Sequence, residues 1–322
     1  MIRSFHYAGD GVCRRDLPLP DLREAMKSGK GLLWVDLEAP TDDEVKVLGP
    51  DLFDFHPLAI EDCIHAQSRP KVDDYEEYLY LVFHAWRREE REVRLEEVDF
   101  FLGGNYLVSH HAEPRSSVTG VIELVARDPR LVLGAGADML LHNIIDRMVD
   151  RYTVVVDDID QRVDGIETAV LEHPTDAALR EILVLKRDLQ ELFRTIRHQR
   201  DVVNSLAREG HPVISKKGRQ FFRDAYDHVV RIHDTVEGLR DEVAGARDAY
   251  LAVVSNRMNA VMKNLSLIAT VILPLTLLTG IYGMNINHMP FQDDPHGFAI
   301  LCGLMAVVGT VTYFAFRRRG WV

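Results

Sequence analysis

Residues 265–282 read LSLIATVILPLTLLTGIY, and residues 298–316 read FAILCGLMAVVGTVTYFAF. Neither run holds an acidic or basic side chain, and each is long enough as a helix to cross a hydrocarbon core of roughly 30 Å. A buried helix of a soluble protein is the alternative for one such run. Two of them, each bounded by charge, point to a pair of transmembrane helices. Pro274 inside the first would be costly in water but is tolerated in a bilayer, where neighbouring groups re-satisfy the backbone.

The basic residues give the orientation. Arg257 and Lys263 precede the first run, and Arg317, Arg318 and Arg319 follow the second. The loop 283–297 between them has no Lys or Arg but carries Asp293 and Asp294. By the positive-inside rule both termini are cytoplasmic and the loop faces outward, with Tyr313 and Trp321 placed as interfacial anchors. Two helices cannot enclose a water-filled path, so conduction would need several copies around one axis. The spans contain no carboxylate or amine for an intramembrane proton relay; the first offers the neutral Ser266, Thr270, Thr276 and Thr279.

Upstream, Phe222, Ala225, Val229, Ile232, Val236, Leu239, Val243, Ala246, Tyr250 and Val253 step by three and four residues in strict alternation. This is a seam of the coiled-coil kind. No Pro intervenes before Pro274, so the spacing predicts one helix from Gly218 to Tyr282, roughly 95 Å long at 1.5 Å per residue. It reads either as an ordinary coiled-coil dimer or as the stalk of an oligomeric channel. Two further amphipathic helices precede it, one along Leu141, Ile145, Met148, Tyr152, Val155 and Ile159, the other along Leu179, Ile182, Leu189, Phe193, Ile196, Val203 and Leu206. They are separated at His173-Pro174, and the second ends in 209–218.

Before about residue 130 the chain alternates. Leu32–Leu37, Tyr78–Trp86, Val98–Leu102 and Tyr106–Ser109 read as strands, and Asp42–Leu48 and Pro57–Ile64 as helices with acidic starts. The expected organisation is therefore an α/β domain over 1–133, long helices over 134–217, a stalk over 218–264, the two spans over 265–316 and a basic tail over 317–322.

The net charge of −12 argues against a nucleic-acid partner, which needs a basic face. It suits a domain that attracts cations. Cys13, Cys63 and Cys302 form no C-x-x-C pair, which fits a reducing compartment and predicts neither a disulfide framework nor a thiolate metal site. His84, His110, His111 and His142 show no paired spacing with Cys or Glu, so no structural zinc site is expected either. The start MIRSFHYAGDG has no apolar core for a cleavable signal peptide. No Walker loop, nucleophile elbow, dinucleotide fingerprint or H-E-x-x-H is present, so an enzyme is not expected.

At the outer end of the first span stands Tyr282-Gly283-Met284-Asn285, within PLTLLTGIYGMN, followed by a short loop, one last span and the tail RRRGW. Here the chain resembles the CorA family of divalent-cation channels. Ser255–Thr276 (SNRMNAVMKNLSLIATVILPLT) and His56–Tyr80 (HPLAIEDCIHAQSRPKVDDYEEYLY) are similar to that family's membrane-entering helix and soluble-domain signature. The resemblance implies a homopentameric, funnel-shaped channel of the cell (inner) membrane that takes Mg²⁺, and also Co²⁺ or Ni²⁺, as substrate and needs no cofactor. It implies a selectivity filter at Gly283, Met284 and Asn285, and pore-lining positions at Asn259, Met262, Leu265, Leu273 and Thr276. It further implies that cytoplasmic Mg²⁺ is a regulatory ligand bound between subunits, at Asp62 with Asp248 and at Glu61 with Asp224 and His228. Mg²⁺ dehydrates reluctantly, so a ring of neutral Asn285 oxygens suits its water shell. Without the resemblance, Gly283 and Asn285 read equally as a helix stop and cap.

After Met289-Pro290 the acids stand at Asp293 and Asp294, later than the family pattern, and His288 in the loop is a donor that suits zinc or cobalt. Two alternatives stay open: a zinc transporter of the related ZntB branch, and a membrane-anchored sensor that conducts nothing.

Overall fold

The computed structural model describes residues 1–50, 52–65, 68–89, 92–208, 210–284, 290 and 295–318. They divide into two compact units, one of residues 1–169 and 175–247, the other of residues 170–174 and 248–322.

The first unit is built on a sheet of seven strands among the described residues: β1 (Ile2–Tyr7), β2 (Cys13–Arg15), β3 (Leu32–Glu38), β4 (Lys71–Asp74), β5 (Tyr78–Glu89), β6 (Glu92–Gly103) and β7 (Tyr106–His111). Their order is β2-β1-β3-β7-β6-β5-β4. Neighbours run antiparallel except β3 and β7, which pair in parallel with Val35 opposite Val108. β3, reading LLWVDLE, is buried almost throughout, as a central strand covered on both faces must be. The most evident strands of the sequence are all found. Those it does not reveal are β1 and the short, polar edge strands β2 and β4.

Short helices cover one face: α1 (Leu19–Ser28), α2 (Asp42–Val45) and α3 (Pro57–His65). Thr41 and Glu44 close a reciprocal capping box at the start of α2, which fixes that turn without any apolar burial. Leu33, Val35, Leu37, Tyr80, Val82, Phe101 and Val108 of the sheet meet Ala59 and Cys63 of α3 in one apolar cluster. Two helices not evident in the sequence, α4 (Ser116–Arg127) and α5 (Pro129–Val132), follow the sheet.

Three long helices then succeed one another: α6 (Ala137–Glu172), α7 (Asp176–Ala207) and α8 (Lys216–Tyr282). The break between the first two falls at His173-Pro174, where Thr175 caps α7 by accepting from the Ala178 amide at 3.3 Å. α8 begins two residues before the expected Gly218, because the Ser215 hydroxyl accepts from the Gly218 amide at 2.9 Å and Asp138 of α6 accepts from the Ser215 amide at 2.9 Å. α6 and α7 are tied to the sheet by a buried knot. The Tyr152 hydroxyl and the Gln199 amide both donate to the His84 carbonyl of β5, at 2.5 and 2.7 Å.

The seam of α8 is occupied within the chain. Phe222, Ala225, Val229, Ile232, Val236, Leu239, Val243 and Ala246 are all buried in the single copy. His142 of α6 meets the rings of Phe221 and Phe222 edge-on, and Phe193 of α7 lies under Arg240 of α8. This corrects the coiled-coil dimer reading: no second chain is needed to cover these side chains.

In the second unit, α8 continues to Tyr282 and α9 spans Gly297–Arg318. Both are long and apolar enough to cross a membrane, and neither apolar stretch is buried by the chain itself. Arg257 donates to the Glu172 carbonyl at 3.2 Å, placing a cation at the carboxyl end of α6, where the helix dipole favours one.

Candidate ion pathway and cation sites

A helix that is apolar all round requires an apolar surrounding. On α8, Met262, Leu265, Ile268, Ile272, Leu273 and Leu277 are all exposed in the single copy, Leu273 at 67%, and on α9 Phe298 reaches 81%. Lipid, or further copies, must cover them. At 100° per residue, Asn259, Met262, Leu265, Leu273 and Thr276 fall within one side of α8. Their side chains contact no other element of the fold closely enough to bury them.

Of the two polar residues on this side, Asn259 and Thr276, the second has its hydroxyl proton engaged. The Thr276 hydroxyl donates its proton to the Ile272 carbonyl at 3.0 Å, and Thr270 and Thr279 likewise donate back to Ser266 and Thr276 at 2.7 and 3.0 Å. A threonine whose proton is so engaged presents lone pairs outward. Lone pairs are what the protons of a hydrated cation require. At the end of α8 the Gly283 amide donates to the Thr279 carbonyl at 2.9 Å and Met284 to Ile281 at 3.2 Å, so the helical bonding reaches the first two residues of the motif. Asn285, His288, Asp293, Asp294, Arg319 and Trp321 lie outside the described residues.

The candidates upstream of the apolar runs divide into two settings. Asp62, on α3, is bound within its own chain: the Lys71 ammonium sits 2.6 Å from Asp62 and 2.6 Å from Asp73. Partial burial works against that ammonium, but the two carboxylates outweigh it and hold the Lys71 pKa above its ordinary value. Glu61, beside it, is exposed, and its backbone carbonyl accepts from His65. Asp248 is on an exposed face of α8.

The second setting was only half visible in the sequence. His228 of α8 meets Asp146 and Asp150 of α6, with one potential ligand atom from each lying within 4.8 Å of the others. Burial raises the Asp146 pKa, opposed by the nearby His142 and His228. Asp224, one turn before His228, adds its negative charge to the same place. A cavity of about 300 Å³ bounded by Asp150, Asp157, His228 and Arg231 adjoins the group. Two carboxylates and an imidazole around half-buried space form a donor set for a divalent cation. Glu61 is not part of this group. The available signal was an i,i+4 pair of acids on α6 matching an i,i+4 Asp and His on α8, spacings that place each pair on one helix face.

The family model described as "CorA-like Mg2+ transporter protein" matches residues 29–318. The chain belongs to this family. The cobalt/magnesium transport protein CorA of Thermotoga maritima is 35% identical over 291 residues, covering 90% of this chain and 83% of its own. YfjQ of Bacillus subtilis is 36% identical over 290 residues, covering 89% of both chains. The complete CorA magnesium transporter structure from Methanocaldococcus jannaschii superposes with a TM-score of 0.86 at 23% identity, over 99% of this chain and 98% of that one, a likeness of fold. Membership accounts for the architecture of a CorA-like chain: an α/β sheet unit, one very long helix and a C-terminal apolar helix.

Proposed function

We propose that this chain is the subunit of a homo-oligomeric, most simply pentameric, channel for Mg²⁺ that also passes Co²⁺ and Ni²⁺. Copies of α8 surround the axis, Asn259, Met262, Leu265, Leu273 and Thr276 face it, and Gly283, Met284 and Asn285 form the outer filter. Leu273, Leu265 and Met262 make an apolar constriction that closes by dewetting. Residues 1–264 and the basic tail are cytoplasmic, and the loop 283–297 faces outward. The observation that carries this reading is α8 itself, unbroken from Lys216 to Tyr282, with its first half buried in the chain and its second half apolar and uncovered.

The same reading makes cytoplasmic Mg²⁺ a regulatory ligand. Carboxylates of neighbouring subunits repel until a dication bridges them, so occupancy at Asp62 with Asp248, and at Glu61, Asp224 and His228, favours the closed ring. Asp146 and Asp150 supply the further ligands that the sequence alone did not suggest.

The experiment is Mg²⁺ influx into liposomes holding a magnesium-sensitive dye. Rapid entry with the native chain and its loss in Asn285→Ala supports both channel and filter. Intact oligomer that admits no Mg²⁺ refutes the proposal. For regulation, Lys71→Met removes the cation that competes at Asp62. Half-inhibition should then occur at a lower internal Mg²⁺ concentration, and an unchanged curve removes Asp62 from the sensor.

A further inference from the structure

Among the described residues, four groups bring together three or more His, Cys, Asp or Glu ligand atoms. One belongs to the cation sites above, and another, His233 with Asp234 and Glu237, lies largely on an exposed helix face. The remaining two sit inside the sheet unit on opposite faces, and they differ in how their charge is balanced.

On the face of Asp36, His111 and Glu38, the balance is internal. The Arg3 guanidinium pairs with Glu38 and lies 3.7 Å from Asp36. Ser109 donates to Asp36 at 2.6 Å and is itself held by the Trp34 indole at 3.0 Å. A buried carboxylate with a cation and two donors is a settled structural unit.

On the other face, α3 lays the Cys63 thiol over the centre of the sheet, where Asp99 of β6 stands beside His110 of β7. All three residues are buried, with one ligand atom from each within 4.8 Å of the others. Among the described residues no Lys or Arg pairs with Asp99; its ionic partner is His110, at 3.1 Å. Lys71, whose ammonium lies over the Tyr80 ring, is engaged by Asp62 and Asp73. Glu97, two residues before Asp99 on the same side of β6, has a side chain only 7% exposed. Its Oε2 accepts from the Ser68 amide at 3.0 Å, but its Oε1 is buried with no hydrogen-bond partner.

Two acids and a thiol thus share a buried face where, among the described residues, the basic partners are histidines, His110 at 3.1 Å from Asp99 and His84 at 4.0 Å from Glu97. A dication placed among them would meet thiolate, imidazole and carboxylate donors.

We propose that Cys63, Asp99 and His110, with Glu97 as the fourth ligand, form a resident site for a borderline-soft dication, Zn²⁺ or Co²⁺, inside the sheet unit. The donor set of thiolate, imidazole and carboxylate suits such an ion. It does not suit Mg²⁺, which requires six oxygens and keeps several waters. Ligands at tetrahedral Zn²⁺ bond lengths lie roughly 3.5 Å apart, and the ligand atoms of Cys63, Asp99 and His110 already lie within 4.8 Å of one another. The outer shell is already set: the Tyr80 hydroxyl donates to Asp99 Oδ1 at 2.8 Å, which orients the carboxylate and leaves Oδ2 towards His110. A cavity of about 350 Å³ lined by Ser68, His84, Glu97, Arg194 and His198 gives access from the Glu97 side. Binding as thiolate releases the thiol proton to solvent. The site goes beyond the transport reading, since its ion is a structural resident and not cargo. It also departs from the expectation of no thiolate metal site: spacing along the chain could not show that one Cys, one Asp and one His from three elements converge.

The test uses the full chain with Cys13→Ser and Cys302→Ser, so that Cys63 is the only thiol and the site is untouched. The protein is produced in medium supplemented with Co²⁺ and purified in detergent with excess Mg²⁺ to occupy oxygen-only sites. The expected result is one Co²⁺ per chain, with a thiolate-to-cobalt charge-transfer band and the intense visible bands of four-coordinate Co²⁺. Zn²⁺ should displace it, Mg²⁺ should not, and Asp99→Asn should abolish the band. A folded Cys63-only protein with no charge-transfer band, and no zinc retained when grown without cobalt, overturns the proposal whatever the variant does. The cluster is then a proton-sharing network.

Discussion

The two halves of α8 use apolar side chains in opposite ways. Between Phe222 and Ala246 they repeat on one seam and are buried by the chain. Between Leu265 and Ile281 they surround the helix and are left uncovered. A seam states which face meets its own chain; a uniform coat states that the surrounding medium is itself apolar. Local composition therefore separates folding from insertion along one uninterrupted helix, and substitutions in the two halves should fail in different assays.

The largest effect is expected in the seam. Phe222→Ala removes a fully buried ring and should cost about 3–5 kcal/mol of stability, read as a lowered denaturation midpoint of the buried Trp34 and Trp86 fluorescence. If the midpoint does not move, the seam is not held by this chain and the comparison fails. Next comes Gly218→Ala. Its new methyl would strike the Asp138 carboxylate that caps the start of α8, a steric change expected to cost about 1–3 kcal/mol by the same readout. The smallest is Leu273→Ala, whose side chain is exposed and should leave that midpoint within about 0.5 kcal/mol. In the proposed pathway its consequence should instead be increased Mg²⁺ leak into liposomes, because the proposed constriction is widened. A large fall in the fluorescence midpoint for Leu273→Ala would mean that the coat serves the fold as well.

What the sequence disclosed follows the same physics. The dense Val, Leu, Phe and Tyr of β3, β5, β6 and β7 identified the sheet interior, and the 3-4 alternation identified the helices. β2, reading CRR, and β4, reading KVDD, were invisible because an edge strand needs few apolar residues. The seam was legible as a seam, but its partner was not, since α6 and α7 offer the same apolar pattern that a second chain would. Among the proposed cation ligands, Asp224 and His228 were reached through the resemblance, whereas Asp146 and Asp150 required knowing which face of α6 meets α8. Cys63, Asp99 and His110 required the register of β6 against β7.

The order of elements along the chain also sets a timetable. The pairing of β3 with β7 joins segments some seventy residues apart, with Leu33 opposite Tyr106, so the sheet cannot close until residue 111 has left the ribosome. The first apolar span begins only at Leu265. At roughly 5–20 residues per second, translation of what precedes it lasts more than about ten seconds, ample for the sheet and most of the seam to fold first. The two apolar runs thus emerge after it, tethered to a body that has already had time to fold. In the proposed topology residues 1–264 stay on the side where they were made, the side that the basic residues flanking the two apolar runs favour.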